Sequence, residues 1–451
     1  MKLILIDQLR MPALRWLVIL LPFCVGCSRS NTSQSFTIVV SGDTAGWITP
    51  CGCASNQSGG LARRATLIAA CGDAEQVLYL DAGGSAAGTS EYHELKLESI
   101  LRGLRAMNLA AHNIGAAEAA LAPDQLASLA EKTGVTWLSA NLKPVNGQPP
   151  LDHMLVERNG VQIAVTGVID PALVTSDAWI AREPVSAILD ALGESQADLT
   201  IVLAYCDEAG LRSLAESLPE VDFIVGGPTG QAMKPATIGP VTILSATNKG
   251  KYLARIKLSP GDGDRFATDE IGPAEVTSDL AEDFQQTLNL TQYYAALAKR
   301  DFTVAEAALF SHTPRDTAEY RIAGSQACAK CHLEDDRAWH ASKHSHAWEV
   351  LVAKGAHVDP FCQQCHTTGY GHEGGFTSVS QSPQLVHVGC ENCHGPSSGH
   401  VADPKVKAPF LARERCIECH DHENSPNFVY DEYWPKIQHG EKKPAAIGAG
   451  G

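Results

Sequence analysis

Four short patterns of cysteine and histidine are the residues of this sequence best suited to chemistry. The pattern Cys-x-x-Cys-His occurs at residues 328–332, 362–366, 390–394 and 416–420. Two thiols at this spacing can add to the two vinyl groups of one porphyrin, and the histidine that follows can bind its iron. The alternative, a pair of zinc ribbons, also uses Cys-x-x-Cys but needs no histidine directly after each pair. The four motifs therefore predict four covalently bound haem c groups.

The residues of this predicted centre follow from the motifs and from composition. The expected attachment residues are Cys328, Cys331, Cys362, Cys365, Cys390, Cys393, Cys416 and Cys419, and the expected proximal iron ligands are His332, His366, His394 and His420. All five methionines lie before residue 234, so the Met/His ligation that raises the potential of other cytochromes is not expected. Ten further histidines follow residue 311. We expect a second histidine on most of the irons, which gives low potentials and suits electron transfer.

The first 26 residues are typical of a lipoprotein-type signal peptide. Basic residues precede an apolar run at residues 16–23, which is too short to span a membrane. We expect Cys27 to be the lipidated first residue of the mature protein, although Cys24 stands where such signals usually have leucine. An ordinary cleaved signal and an uncleaved anchor are the alternatives. All three predict a periplasmic or other extracytoplasmic location, and lipidation predicts a membrane anchor.

The rest of the chain divides by composition. Short β-rich runs alternate with helical patterns over residues 36–258, which predicts an α/β domain. The runs are residues 36–40, 77–80, 135–140, 162–168, 200–204, 221–225 and 241–245. Residues 259–319 are interpreted as a linker followed by connecting helices, 320–440 as a mostly α-helical or irregular tetrahaem domain, and 441–451 as a flexible tail. The net charge of −16 argues against nucleic acid as a partner.

The haem region resembles the cytochrome c-554 family of multihaem proteins. The likeness rests on residues 324–332, 339–344, 365–369, 374–376, 388–396, 425–428 and 433–439. It implies His344, His400 and His439 as first choices for the distal iron ligands, with His346, His372 and His387 in reserve. It also implies haems packed in close edge-to-edge pairs, an arrangement that can leave one iron five-coordinate.

The N-terminal region resembles the metallophosphatase domain of periplasmic 5′-nucleotidases, which sandwiches two sheets between helices. The likeness rests on residues 36–43, 59–64, 80–83 and 221–227. Of the family's metal-binding positions only Asp43 is retained; the others align with Ala45, Gly84, Ala116, Ala117, Tyr205 and residues 228–230. One carboxylate cannot fix the two cations that two-metal hydrolysis requires. We expect a scaffold without phosphatase or nucleotidase activity, in which His112 is an ordinary structural histidine.

Four cysteines outside the motifs keep three interpretations open. Cys51, Cys53, Cys71 and Cys206 could form disulfides, which are the usual state of thiols outside the cytoplasm. Cys51, Cys53 and Cys206 could instead converge as a thiolate metal or redox site where the family has its metals. Unpaired thiols are the third possibility.

These observations together favour an exported tetrahaem c-type cytochrome that transfers electrons. Its N-terminal domain is expected to be a degenerate metallophosphatase-like module for binding or docking. The expected partners are other cytochromes or membrane quinol and oxidoreductase complexes. The alternative is a multihaem oxidoreductase that acts on a small nitrogen or sulfur compound at a five-coordinate haem. Of the two, an electron carrier is expected rather than an enzyme.

Overall fold

The computed structural model describes residues 35–50, 57–193, 195–261, 266–309, 320–406, 410 and 412–440. The predictions for the signal peptide, Cys27, Cys51, Cys53 and the C-terminal tail concern residues outside these ranges. Within the described residues, no helix is both long enough and apolar enough to cross a membrane.

The N-terminal part contains fourteen strands and eight helices among the described residues. The strands are β1 (Phe36–Ser41), β2 (Val77–Asp81), β3 (Leu109–Asn113), β4 (Trp137–Leu138), β5 (Leu142–Pro144), β6 (His153–Arg158), β7 (Val161–Ile169), β8 (Trp179–Ala181), β9 (Leu199–Tyr205), β10 (Phe223–Gly227), β11 (Ala236–Ile238), β12 (Val241–Ser245), β13 (Tyr252–Pro260) and β14 (Phe266–Glu275). The helices are α1 (Leu61–Ala69), α2 (Glu91–Ala106), α3 (Ala116–Ala119), α4 (Pro123–Thr133), α5 (Pro184–Leu192), α6 (Glu208–Ser217), α7 (Phe284–Arg300) and α8 (Val304–Ala307).

Two six-stranded sheets form the centre of this part. Their strand orders are β14-β13-β1-β2-β3-β4 and β11-β12-β10-β9-β7-β6, and β5 pairs with β8 in a separate two-stranded sheet. Because side chains alternate across a strand, β1 directs Ile38 and Val40 into the core between the sheets, while Val39 faces the helices on the outside. The result is the predicted α/β sandwich, with helices outside both sheets.

Several elements differ from the sequence-based prediction, since β3, β5, β6, β8, β11, β13 and β14 lie outside the predicted β-rich runs. The proposed linker contains β14, which pairs antiparallel with β13 as an edge strand. All ten of its residues are at least partly exposed, and its apolar residues, among them Phe266 and Ile271, do not form the continuous or alternating run by which strands are recognised. Strand β3 was not predicted because its sequence, Leu-Ala-Ala-His-Asn, has no β-branched residue.

The C-terminal part is built of short helices and loops. The helices are α9 (Ser325–Ala329), α10 (Leu333–His340), α11 (Ala347–Ala353), α12 (Pro360–His366), α13 (Cys390–His394), α14 (Ser398–Ala402), α15 (Ala412–Ile417) and α16 (Tyr430–Tyr433). Its apolar cluster centres on four buried side chains, Ile322, Tyr370, Phe376 and Leu385. So small a core indicates that groups other than side chains must contribute to the packing of this region.

Candidate haem-binding site

The four motifs lie on or beside short helices. The second and third motifs lie within α12 and α13. The first motif begins in α9 and ends directly before α10, and the fourth begins in α15 and extends beyond its end. Residues three and four positions apart lie on the same side of a helix. The two thiols and the histidine of a motif can therefore face one planar group.

A second histidine lies opposite three of the motif histidines. The ring centres are 6.1 Å apart for His332 and His400, 6.2 Å for His420 and His344, and 5.9 Å for His394 and His439. A metal–nitrogen bond of about 2.0 Å on each side of one ion would hold two imidazole centres about 6 Å apart. The three separations fit an iron between the rings of each pair.

Hydrogen bonds orient several of these rings. Nδ1 of His400 lies 2.7 Å from the carbonyl oxygen of Val406, and Nδ1 of His439 lies 2.9 Å from that of Ile437. For the motif histidine His366, the Nδ1 partner is the carbonyl oxygen of Ala347 at 2.7 Å. A carbonyl only accepts, so Nδ1 carries the proton and Nε2 keeps the lone pair that can bind a metal.

Burial also favours the ligating form of the imidazoles. It lowers the pKa of His344 and of His420, and the neighbouring His366 lowers both further, although Asp421 raises that of His420. A depressed pKa keeps an imidazole neutral, which is the form that binds iron.

The motifs are arranged in two adjacent pairs. The Cys390 amide donates to Ser325 Oγ at 3.2 Å, and the thiols of Cys328 and Cys390 lie close enough that each shifts the pKa of the other, so the first and third motifs are neighbours. The thiols of Cys365 and Cys419 likewise shift each other's pKa, so the second and fourth motifs are also neighbours. Such neighbouring cofactors could exchange electrons directly.

The reserve histidines have other surroundings. Nδ1 of His346 lies 3.1 Å from a carboxylate oxygen of Glu349, and Nδ1 of His387 accepts a hydrogen bond from the Trp348 amide at 3.3 Å. His372 is half-buried, and burial followed by the charge of Arg415 lowers its pKa.

The positions of the phosphatase motifs in the N-terminal part are occupied differently. Asp43 Oδ2 accepts a hydrogen bond from Thr247 Oγ1 at 2.8 Å. Tyr205 lies against Gly84 and Gly115, where an added Cβ would be 2.7 and 2.8 Å from its Cε2 atom. A side chain at Gly84, the position of the family's bridging aspartate, would therefore collide with the tyrosine ring.

Two further polar residues of this area, Glu118 and His112, have hydrogen-bond partners within the fold. The buried carboxylate of Glu118 accepts from the amides of Gly84, Ala86 and Gly115. His112 is fully buried, with Nδ1 2.6 Å from the Asn113 carbonyl and Nε2 2.9 Å from Ser85 Oγ. In the part of the chain that is described, no group of three or more His, Cys, Asp or Glu residues is arranged to hold a metal ion.

The described non-motif cysteines do not form a disulfide with each other. Cys71 contacts the Leu67 carbonyl, and Cys206 is buried at the end of β9. Burial, with smaller contributions from Asp207 and Asp170, raises the pKa of Cys206 to about 12. Cys206 is therefore a neutral thiol at ordinary pH.

Contacts between the two parts of the chain were not anticipated. Asp359 lies between them, directly before Pro360 and the second motif. An Asp-Pro pair is a helix-start signal, so the sequence could have indicated α12, although it could not reveal the partners of the carboxylate. Lys249 of the N-terminal part also pairs with Glu423, just after the fourth motif.

Comparison with known proteins separates the same two parts. The sequence model of the family described as "Cytochrome c554 and c-prime" matches residues 327–395. Cytochrome c-554 of Nitrosomonas europaea is 31% identical over 158 residues, which cover 27% of this chain and 67% of that protein.

The N-terminal part has different relatives. The uncharacterized metallophosphoesterase YunD of Bacillus subtilis is 25% identical over 145 residues, covering 30% of this chain and 31% of YunD. A 5′-nucleotidase precursor from Thermus thermophilus superposes with a TM-score of 0.50 at 19% identity, over 60% of each chain. The NAD nucleotidase NadN of Haemophilus influenzae gives a TM-score of 0.51 at 14% identity, over 60% of this chain and 61% of its own. The chain thus spans about three fifths of these two structures, and the likeness shows the fold.

The C-terminal match extends over two thirds of a cytochrome, and the N-terminal part has the α/β sandwich of the 5′-nucleotidases. Covalent attachment of haem follows from the first of these similarities. The chain belongs to the cytochrome c-554 family.

Proposed function

We propose that this protein is an exported tetrahaem c-type cytochrome that transfers electrons. The observation that carries the proposal is the placement of His332, His394 and His420 each about 6 Å from a second histidine, the spacing that fits an iron between two imidazoles. Two axial nitrogens leave no free position on an iron, which favours electron exchange over bond chemistry.

In this proposal the eight motif cysteines attach four haems, and the four motif histidines are the proximal ligands. His400, His344 and His439 serve the first, fourth and third haems as distal ligands. Bound haem supplies the one-electron couple. The protein would supply histidine nitrogens, with Nδ1 of His400 and His439 next to backbone carbonyls, and would bring the attachment sites together in pairs.

The N-terminal domain is proposed to bind or dock, without hydrolysing phosphoesters. The collision of any Gly84 side chain with Tyr205 and the internal hydrogen bonds of Glu118 and His112 support the lack of hydrolysis. We further propose processing after residue 26, a lipid anchor on Cys27 and a periplasmic location, with other cytochromes or membrane quinol complexes as redox partners.

The test is a redox titration of the mature protein followed by electron paramagnetic resonance, together with its intact mass. Four covalently bound haems, with at least three low-spin irons, are expected. A mass equal to that of the processed polypeptide alone, or no Soret absorbance after production in a host that attaches haem c, would overturn the proposal. Binding of carbon monoxide by the reduced protein would instead support the alternative oxidoreductase.

A further inference from the structure

A buried carboxylate joins the two domains at the second attachment motif. Asp359 is 5% exposed. Its Oδ1 atom accepts a hydrogen bond from the hydroxyl of Tyr92 at 2.6 Å, and its Oδ2 atom accepts one from the hydroxyl of Tyr293 at 3.1 Å. Lys96 Nζ lies 3.8 Å from Oδ2 and 2.8 Å from the Tyr92 hydroxyl. All three partners belong to α2 and α7 of the N-terminal domain.

The same residue begins the helix that carries the second motif. Asp359 Oδ1 accepts from the Phe361 amide at 2.9 Å, and its carbonyl oxygen accepts from the Cys362 amide at 2.9 Å. Helix α12 therefore starts on a side chain whose position is set by the other domain.

The charged groups of this cluster are the carboxylate of Asp359 and the ammonium group of Lys96. Burial and then the charge of Asp359 raise the pKa of Tyr92 and of Tyr293 well above the ordinary value, so both are neutral donors. Lys96 is 8% exposed and also lies over the ring of Phe361, 4.8 Å from its centre. Neither the carboxylate nor the ammonium group is screened by bulk water, so each acts strongly on its surroundings.

We propose that Asp359 is a positioning residue through which the N-terminal domain fixes helix α12 and lowers the reduction potential of the haem attached at Cys362 and Cys365. The inference rests on the proposed attachment of haem at this motif. A buried negative charge stabilises the oxidised, more positive iron, and Lys96 partly opposes it. The two residues therefore act on one potential in opposite directions.

The experiment is a redox titration of the holoprotein carrying Asp359→Asn or Lys96→Met. Asparagine keeps the helix cap and the size of the side chain but removes the charge. Asp359→Asn is expected to raise the midpoint potential of one haem by about 59 mV, which corresponds to an about tenfold change in the equilibrium constant for its one-electron reduction. Lys96→Met is expected to lower the same potential. Asp431→Asn, which removes an exposed carboxylate paired with Arg413, is the matched control and should shift none.

The outcomes separate this inference from the proposed function. Opposite shifts in the two variants support it, because a residue that only stabilised the fold would lower stability in both and would not move a potential in two directions. Unchanged potentials in holoprotein with all haems attached overturn it and leave the proposed function intact. If Asp359→Asn gives no holoprotein, Lys96→Met decides: a lowered potential supports the inference and an unchanged one overturns it. If the wild-type protein carries no attached haem, the proposed function itself is refuted, and the inference about Asp359 is refuted with it.

Discussion

At the scale of single residues, a short distance to a motif histidine is what marks a histidine as a candidate distal ligand. His400 and His439 each have Nδ1 next to a backbone carbonyl, and their rings lie 6.1 and 5.9 Å from a motif histidine. His346 places Nδ1 next to Glu349 and is mostly exposed. Since His332 also has Nδ1 near a carboxylate oxygen, that of Asp335 at 3.3 Å, the Nδ1 partner alone does not decide which histidine can bind iron.

Replacement of His400 by alanine is expected to change the spin state of one haem. The haem at Cys328 and Cys331 should remain attached, since attachment depends on thiols. Its iron should become high-spin, about one haem in four, because the imidazole opposite His332 is lost. Electron paramagnetic resonance and intact mass measure the two effects.

His346→Ala serves as the control and should leave all spin states unchanged. An unaltered low-spin spectrum in His400→Ala, or a high-spin signal in His346→Ala, would contradict the assignment.

At the scale of elements, one carboxylate ties two attachment helices together. Glu391 lies on α13, within the third motif, and is 3% exposed. Its oxygens accept from the amides of Ala323 at 2.9 Å and Gly324 at 2.7 Å, just before α9, and from the amide of Ser397 at 2.8 Å. The start of the first motif is thus fixed on the third.

Glu391→Gln is expected to lower the free energy of unfolding of the haem region by about 1.5–3 kcal/mol, because a buried carboxylate that accepts three amide hydrogen bonds is replaced by a group with one acceptor oxygen. Urea unfolding followed at the Soret band measures the change. The exposed Glu334, paired with Arg337, gives the control Glu334→Gln, which should alter stability by less than about 0.5 kcal/mol. Equal stability of the two variants would refute the role of Glu391.

At the scale of the whole molecule, the two domains are joined by buried and charged contacts. Besides Asp359, Asp301 at the end of α7 accepts hydrogen bonds from Ser378 Oγ at 2.9 Å and from the amides of Val379 and Ser380 at 3.1 Å. Burial alone would raise the pKa of Asp301, but the hydrogen bonds from Ser380 and Ser378 outweigh it and lower the pKa. The ionised form of Asp301 therefore stabilises the junction.

This junction is expected to weaken in acid. Because the folded pKa is below the unfolded value of about 3.9, the contribution is fully present above that value and is lost as the pH falls through the folded pKa. Hydrogen exchange of the Val379 and Ser380 amides should be roughly tenfold faster in Asp301→Asn than in the wild type at pH 6.

The difference between the two proteins should vanish at pH values below the folded pKa, where Asp301 is neutral. Equal exchange rates at pH 6 would show that Asp301 does not protect these amides.

The N-terminal domain is expected to show no phosphoesterase activity. With added Mn²⁺ or Mg²⁺, hydrolysis of a nucleotide or of a generic phosphodiester should not exceed the protein-free rate, since one carboxylate cannot organise two cations. Activity that disappears in Asp43→Ala would contradict this expectation, and His153→Ala, at an exposed position, is the control for the preparation.

The sequence by itself determined the features whose information is contiguous. Each attachment motif is complete within five residues. Short runs of apolar residues predict strands such as β1, β2, β7 and β12. The absence of methionines from the haem region led to the expectation of histidine as the distal ligand. The sequence did not predict strand β14, because an exposed edge strand needs few apolar side chains.

Only the tertiary structure decided which distant groups meet. It paired His332 with His400 and His420 with His344, and it placed Tyr205 against Gly84. It also set Asp359 between Tyr92 and Tyr293. Such contacts join segments far apart in the chain, and their partners depend on how helices and sheets pack rather than on local spacing. The fit between packed helices and sheets decides which of these side chains meet. No short stretch of the sequence contains that information.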